Sequence, residues 1–144
     1  NTLKTFLFCS ILLVLCSCSR SNYDKPDTRA NREGFQAHCG FSPEKKVKNV
    51  YFYADEWGGD AAYWLAFSAP PEVIEQIIRN LELKKSDNDW RSGNNPNVDI
   101  FPWWSAEMRK NADYYQFEDE TKEILRQLWY NPQSQKCQLA IQYW

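Results

Sequence analysis

One histidine, His38, stands in a chain of 144 residues. That scarcity excludes a histidine-rich metal site and argues against most histidine-based catalytic triads, for which His38 alone could serve. There is no basic excess: 17 Lys and Arg against 19 Asp and Glu give a formal net charge of -2. Too little positive charge is present to neutralise a phosphate backbone, so nucleic acid is not an expected partner. Five Gly and seven Pro are too few for a low-complexity or disordered chain. No glycine-rich phosphate loop, Gly-x-Ser-x-Gly turn or Cys-x-x-Cys pair occurs, so no cofactor is implied. Long apolar runs are missing as well. The longest, Phe6 to Leu15, falls well short of the ~20 residues a bilayer-spanning helix needs. What is present is enough chain for one ordinary domain, with seven Trp, eight Tyr and eight Phe.

The run from Phe6 to Leu15 follows Lys4 and has the layout of a secretory signal sequence. It is followed by Leu15-Cys16-Ser17-Cys18, a branched apolar residue, a tolerant position, a small residue and a cysteine. This tetrad resembles the bacterial lipobox, although Cys16 departs from the small residue usual at its position. The resemblance covers only the N-terminal eighteen residues. It implies cleavage behind Ser17, acylation of Cys18 and a lipid anchor in the bacterial cell envelope. Ser19 after the cysteine implies sorting to the outer membrane. The competing reading is an ordinary cleaved signal peptide with an incidental cysteine. The expected organisation is a signal peptide over 1–17, a flexible polar tether over 18–32 and one globular domain over 33–144.

With Cys9 and Cys16 removed and Cys18 acylated, two thiols remain, Cys39 and Cys137. In an oxidising envelope two such cysteines are expected to form a disulfide, within one chain or between chains. Within one chain, the bridge would close a loop on the order of a hundred residues, for which chain entropy gives at most ~4.7 kcal/mol. His38 beside Cys39 does not make a catalytic pair, because neighbours in a strand or helix point different ways.

Alternation predicts strands over Val47–Ala54 and Ala62–Ser68, joined by the turn Asp55-Glu56-Trp57-Gly58-Gly59-Asp60. Pro70-Pro71 opens a helix with the apolar stripe Val73, Ile74, Ile77, Ile78 and Leu81, and Ser68 is a candidate cap. Ser105 is positioned to cap a short helix, and Tyr114–Glu118 reads as a short strand. Ile124–Tyr130 and Cys137–Trp144 form a second hairpin around Asn131–Gln135, with Cys137, Leu139, Ile141 and Tyr143 on one face. The expected fold is α+β: a small antiparallel sheet of two hairpins packed on one main helix.

The aromatics are the feature most open to a functional reading. Trp64 and Trp129 lie inside strands and read as core. Trp57 sits in a turn and Trp90 in a polar loop, and Trp103-Trp104 are neighbours that cannot both face one core side, so one of them is expected at the surface or lining a groove. Trp57, Trp103 and Trp104 are therefore the candidate binding surface, for a protein interface or for sugar rings. Acidic residues cluster at Asp55, Glu56 and Asp60, and a pair of carboxylates is what glycoside hydrolysis needs. Asp87-Asn88-Asp89 is not a calcium loop: Arg91 occupies a ligand position, Ser92 replaces the turn glycine and Val98 replaces the bidentate glutamate. The leading expectation is a non-enzymatic envelope lipoprotein that binds a protein partner, of adaptor, inhibitor or immunity type. The alternative is a domain that binds or cleaves peptidoglycan or an envelope polysaccharide.

Overall fold

The computed structural model describes residues 23–87 and 100–144. The lipobox with Cys18, and Trp90, lie outside these residues. In chain order the elements are α1 (Arg29–Cys39), β1 (Lys48–Trp57), β2 (Asp60–Ser68), α2 (Pro71–Asn80), β3 (Lys84–Lys85), α3 (Ala106–Arg109), β4 (Asp113–Asp119), β5 (Ile124–Asn131) and β6 (Lys136–Tyr143). The six strands form one antiparallel sheet in the order β1-β2-β6-β5-β4-β3. The fold is α+β, with both predicted hairpins present. They lie apart along the chain, yet β6 pairs with β2 and unites them.

Strand alternation gives the sheet two apolar faces. One carries Leu65, Phe67, Leu128, Tyr130, Cys137, Leu139 and Ile141, and α1 and α2 cover it with Phe35, Cys39, Val73, Ile74 and Ile77. The other carries Trp64, Ala66, Tyr114, Trp129 and Ala140, and Trp103 and Trp104 cover it. A second helix and an irregular segment thus join the single main helix expected from the sequence.

Helix α2 has Pro71 at its first position as predicted, but Ser68 does not cap it; Pro70 precedes the helix with no side-chain cap. Ser105 does cap α3, accepting from the Met108 amide at 3.4 Å. Helix α1 has a Thr28 cap that accepts from Asn31 N at 3.2 Å, and Gly40 in the left-handed region ends it. Gly34 faces the sheet, where an added Cβ would lie 2.4 Å from the Phe52 ring. Only glycine lets helix and sheet approach so closely.

The flexible tether expected over 18–32 is corrected from Tyr23 onward. Asp27 N donates to Val50 O at 2.8 Å, and the Asp27 carboxylate accepts from Asn49 N at 2.9 Å and Val50 N at 3.1 Å. Buried Asn31 donates from Nδ2 to Lys25 O at 2.8 Å and Val50 O at 2.9 Å. Arg32 pairs with Asp27 at 2.8 Å. The polar residues that look like a linker are the stitches that fasten this segment to the start of β1.

Candidate functional site

The strands run between two ends of the sheet that differ in chemistry. At one end lie the β1–β2 tip and the β4–β5 turn, and there β6 finishes. Tyr143 pairs with Ala61 on one side and Ile124 on the other, and Trp144 N donates to Glu123 O at 3.1 Å. Trp57 is 84% exposed at the hairpin tip, Tyr143 38% and Trp144 44%. Asp55, Glu56 and Asp60 belong to the first tip and Glu118, Asp119, Glu120 and Glu123 to the second, with Lys122 among them. This end is aromatic and acidic. Two glycines, Gly58 with a φ of 60° and Gly59, form the tip itself, with open space around both, so Trp57 stands clear of the domain.

The candidate binding residues are therefore not brought together. Trp57 is exposed as expected. Trp103 and Trp104 are both buried, at 6% and 1% exposure, so neither stands at the open surface; of the expected alternatives, surface or groove, Trp103 takes the second. The reason is backbone shape. Trp104 N bonds to Phe101 O at 3.0 Å, so the pair sits in a turn rather than a strand and both indoles lie down on the sheet. They meet at 82°, and Trp104 meets Trp129 at 88°. The Arg109 guanidinium lies 5.5 Å from the Trp104 ring and 5.3 Å from Trp129, and donates to Gln138 Oε1 at 3.1 Å. Trp104 is core.

Trp103 is core with one edge on a groove. Its Nε1 donates to Tyr23 O at 2.8 Å, and Tyr51 and Phe101 lie nearly parallel to it at 5.5 and 5.2 Å. The groove beside it measures about 490 Å³ and is lined by Tyr51, Pro102, Met108, Asp24, Asn49 and Lys136, among others. It opens toward the other end of the sheet, where Ser68 pairs with Lys48 and Lys136.

Tyr143 and Trp144 are exposed aromatics that sequence reasoning did not single out. Alternation assigned Tyr143 to the apolar face, which is its correct side. As the last residue of β6 it reaches past most of the cover given by α1 and α2. The available signal was that position at a strand end, close to the paired hairpin turns.

Of the three carboxylates of the first tip, Asp55 and Asp60 share a face of the sheet and Glu56 takes the other. Asp55 pairs opposite Ala62 and Glu56 opposite Ala61, so their side chains leave the sheet on opposite faces. Glu56 accepts from the Tyr63 hydroxyl at 2.7 Å, and that bond holds the phenol proton and pushes Tyr63 up to about 12. His38 stacks on Phe52 and lies 4.0 Å from the Tyr63 ring. Burial lowers its pKa, and the nearby Glu56 carboxylate opposes that in part.

Cys39 and Cys137 are free, buried thiols in this structure, where the sequence reading expects a bridge. Cys39 ends α1, Cys137 lies in β6, and both belong to one core cluster. Burial raises both thiols far above the usual range, so neither is an activated nucleophile. Among the described residues no group of three or more His, Cys, Asp or Glu is placed to hold a metal, and no helix is long and apolar enough to cross a membrane. Comparison with protein-family models, with curated protein sequences and with solved structures gave no match.

Proposed function

We propose that this protein is a bacterial envelope lipoprotein, acylated at Cys18 and held at the outer membrane, whose folded domain is a non-enzymatic module for binding a protein partner. The anchor half rests on Leu15-Cys16-Ser17-Cys18. The observation that carries the binding half is Trp57, 84% exposed on a two-glycine tip, with Tyr143 and Trp144 exposed at the same end. Solvent-exposed aromatics on a rigid hairpin suit an interface, where Trp and Tyr act as anchors at low entropic cost. The surrounding carboxylates select a partner with a basic rim around an apolar pocket, and like charge rejects acidic surfaces.

The test is a photo-crosslinking residue placed at position 57 of the lipidated protein in cells, with position 84 as the control. The expected result is one protein crosslinked from 57 and not from 84. With that partner purified, Trp57→Ala is expected to weaken binding at least tenfold, as for an interface anchor, with unchanged thermal stability. Binding unaffected by both Trp57→Ala and Trp144→Ala refutes the assignment.

A glycan ligand is the second reading, and the groove beside Trp103 is what favours it, with an aromatic wall and Asp24, Asn49 and Lys136 as polar partners. Trp103 offers an edge rather than an open ring face there. Association with purified sacculi, lost in Lys136→Ala, would support it. Hydrolysis is a weaker form of this reading, because Asp55 and Glu56 lie on opposite faces.

A further inference from the structure

The end of the sheet opposite Trp57 has the reverse chemistry. Lys45, Lys46 and Lys48 are exposed in the segment leading into β1, and exposed Lys136 opens β6, with Ser68 paired to both Lys48 and Lys136. Lys45, Lys46 and Lys48 border one surface depression with Glu72. Lys46 pairs with Glu72 at 3.0 Å; among the described residues Lys45, Lys48 and Lys136 have no ion-pair partner. The other carboxylates near this end include Glu44, Asp24 on the groove, Asp27, which Arg32 already engages, Asp113, which pairs with Lys85 at 2.9 Å, and Glu107, which pairs with Lys110.

The first described residue lies over the middle of the sheet, where the Tyr23 ring meets Tyr53 at 5.0 Å, and the chain runs from there to the lysine end. Asp24 lines the groove with Asn49, Ser68 and Lys136, and Asp27 is bonded to Asn49 and Val50. Five chain steps separate Tyr23 from Cys18, a reach of at most ~18 Å. The acidic tips stand a whole strand away, ~30 Å along β1. That exceeds the ~8–10 Å over which salt screens charge.

We propose that the lysine end is the face the domain turns to the bilayer: Lys45, Lys46, Lys48 and Lys136 meet anionic phospholipid headgroups, and the acidic aromatic end points away. The proposal rests on the lipoprotein reading above. A short leash alone keeps the domain close to the headgroups without choosing an end. The lysines add attraction to an anionic surface, and the seven carboxylates of the far tips penalise every inverted pose. The partner-binding end is thereby presented outward.

The lipidated protein, reconstituted in phosphatidylcholine vesicles with and without phosphatidylglycerol, tests this through lysine labelling by a water-soluble amine reagent, read by mass spectrometry. Lys45, Lys46, Lys48 and Lys136 are expected to be protected about fivefold or more when phosphatidylglycerol is present. Lys84 and Lys122 are expected to label equally in both. Uniform labelling of all six, or protection centred on Lys122, overturns the proposal. A second arm uses the lipid-free Cys18→Ser protein at low salt. Lys45→Gln with Lys48→Gln is expected to weaken its binding to phosphatidylglycerol vesicles by roughly 25-fold, at about 1 kcal/mol per lysine; no change overturns the proposal. The mass of the protein recovered from cells shows separately whether Cys18 is acylated. An unmodified Cys18 with lysine-dependent vesicle binding removes the anchor and leaves the face standing. An acylated Cys18 with uniform labelling does the reverse.

Discussion

Asn31→Ala should release the segment before α1 without unfolding the domain. The substitution removes two hydrogen bonds, from Nδ2 to Lys25 O and to Val50 O. Each is worth about 1 kcal/mol net. Val50 O is not orphaned, because it still accepts from Asp27 N. Lys25 is exposed, so its carbonyl passes to water. Alanine returns about 0.5 kcal/mol of helix propensity. The net cost is about 1.5 kcal/mol, or roughly tenfold in a local opening equilibrium. Hydrogen exchange reads it directly. The amides of Asp27, Asn49 and Val50, which make the stitches, should exchange about tenfold faster. Amides at the centre of the sheet, such as Leu128 and Leu139, should change far less when measured under conditions where local opening dominates. An equal loss of protection at all these sites would show that Asn31 supports the whole domain, and unchanged exchange at Asp27, Asn49 and Val50 would show that the stitches do not depend on it. Either result refutes the reasoning. If the segment opens, the leash lengthens, and the selective labelling pattern of the four lysines should weaken with it.

Trp104→Ala should cost about 3–5 kcal/mol, the range for a fully buried large side chain, whereas Trp57→Ala should change stability by less than ~0.5 kcal/mol; urea denaturation of both compares them. Stability should fall as pH drops from 7 toward 5. Burial lowers the folded pKa of His38, so the unfolded chain takes up the proton first, below about 6.5, and draws the equilibrium toward itself. The His38→Gln variant should lose this His38-dependent part of the pH dependence, and as the chain has one histidine its NMR titration is unambiguous. In the lipid-free Cys18→Ser protein, lacking residues 1–17, no thiol should react with Ellman's reagent while folded, and both Cys39 and Cys137 should react in denaturant; no reaction in denaturant would reveal the bridge.

The strands and α2 were legible because each has a repeating apolar pattern matched to its geometry, as in Cys137, Leu139 and Ile141 or in Val73, Ile74 and Ile77. Helix α1 was legible only in part: Phe35–Phe41 reads as a short helix or an irregular segment, and the earlier turns are hidden because the residues they bury are Asn31 and Gly34. An asparagine that serves two carbonyls and a glycine pressed on a ring carry no hydrophobic signal. The same reason hid the folded state of residues 23–28, whose stability is polar and tertiary. Two-residue β3 has no pattern to read at all. At the candidate site, Trp57 was legible from its turn. Trp103 and Trp104 are both buried because alternation applies only to extended backbone, although Trp103 does line a groove, and Tyr143 was missed because facing the core side does not mean being covered.

The last of the six strands in sequence, β6, occupies the middle of the sheet, between β2 and β5. Until it is in place, the first hairpin and the β4–β5 hairpin have no edge in common, and neither can complete its apolar face. A chain emerging from the ribosome N-terminus first would hold two open half-sheets until residues 136–143 arrive. Late completion delays cooperative folding until nearly all the described sequence is available. For a protein that crosses a membrane as an unfolded thread, as the proposed destination requires, that delay is useful. The keystone comes last, so the chain remains loose enough to be exported, and a truncation before Lys136 should yield an aggregation-prone fragment rather than a smaller domain.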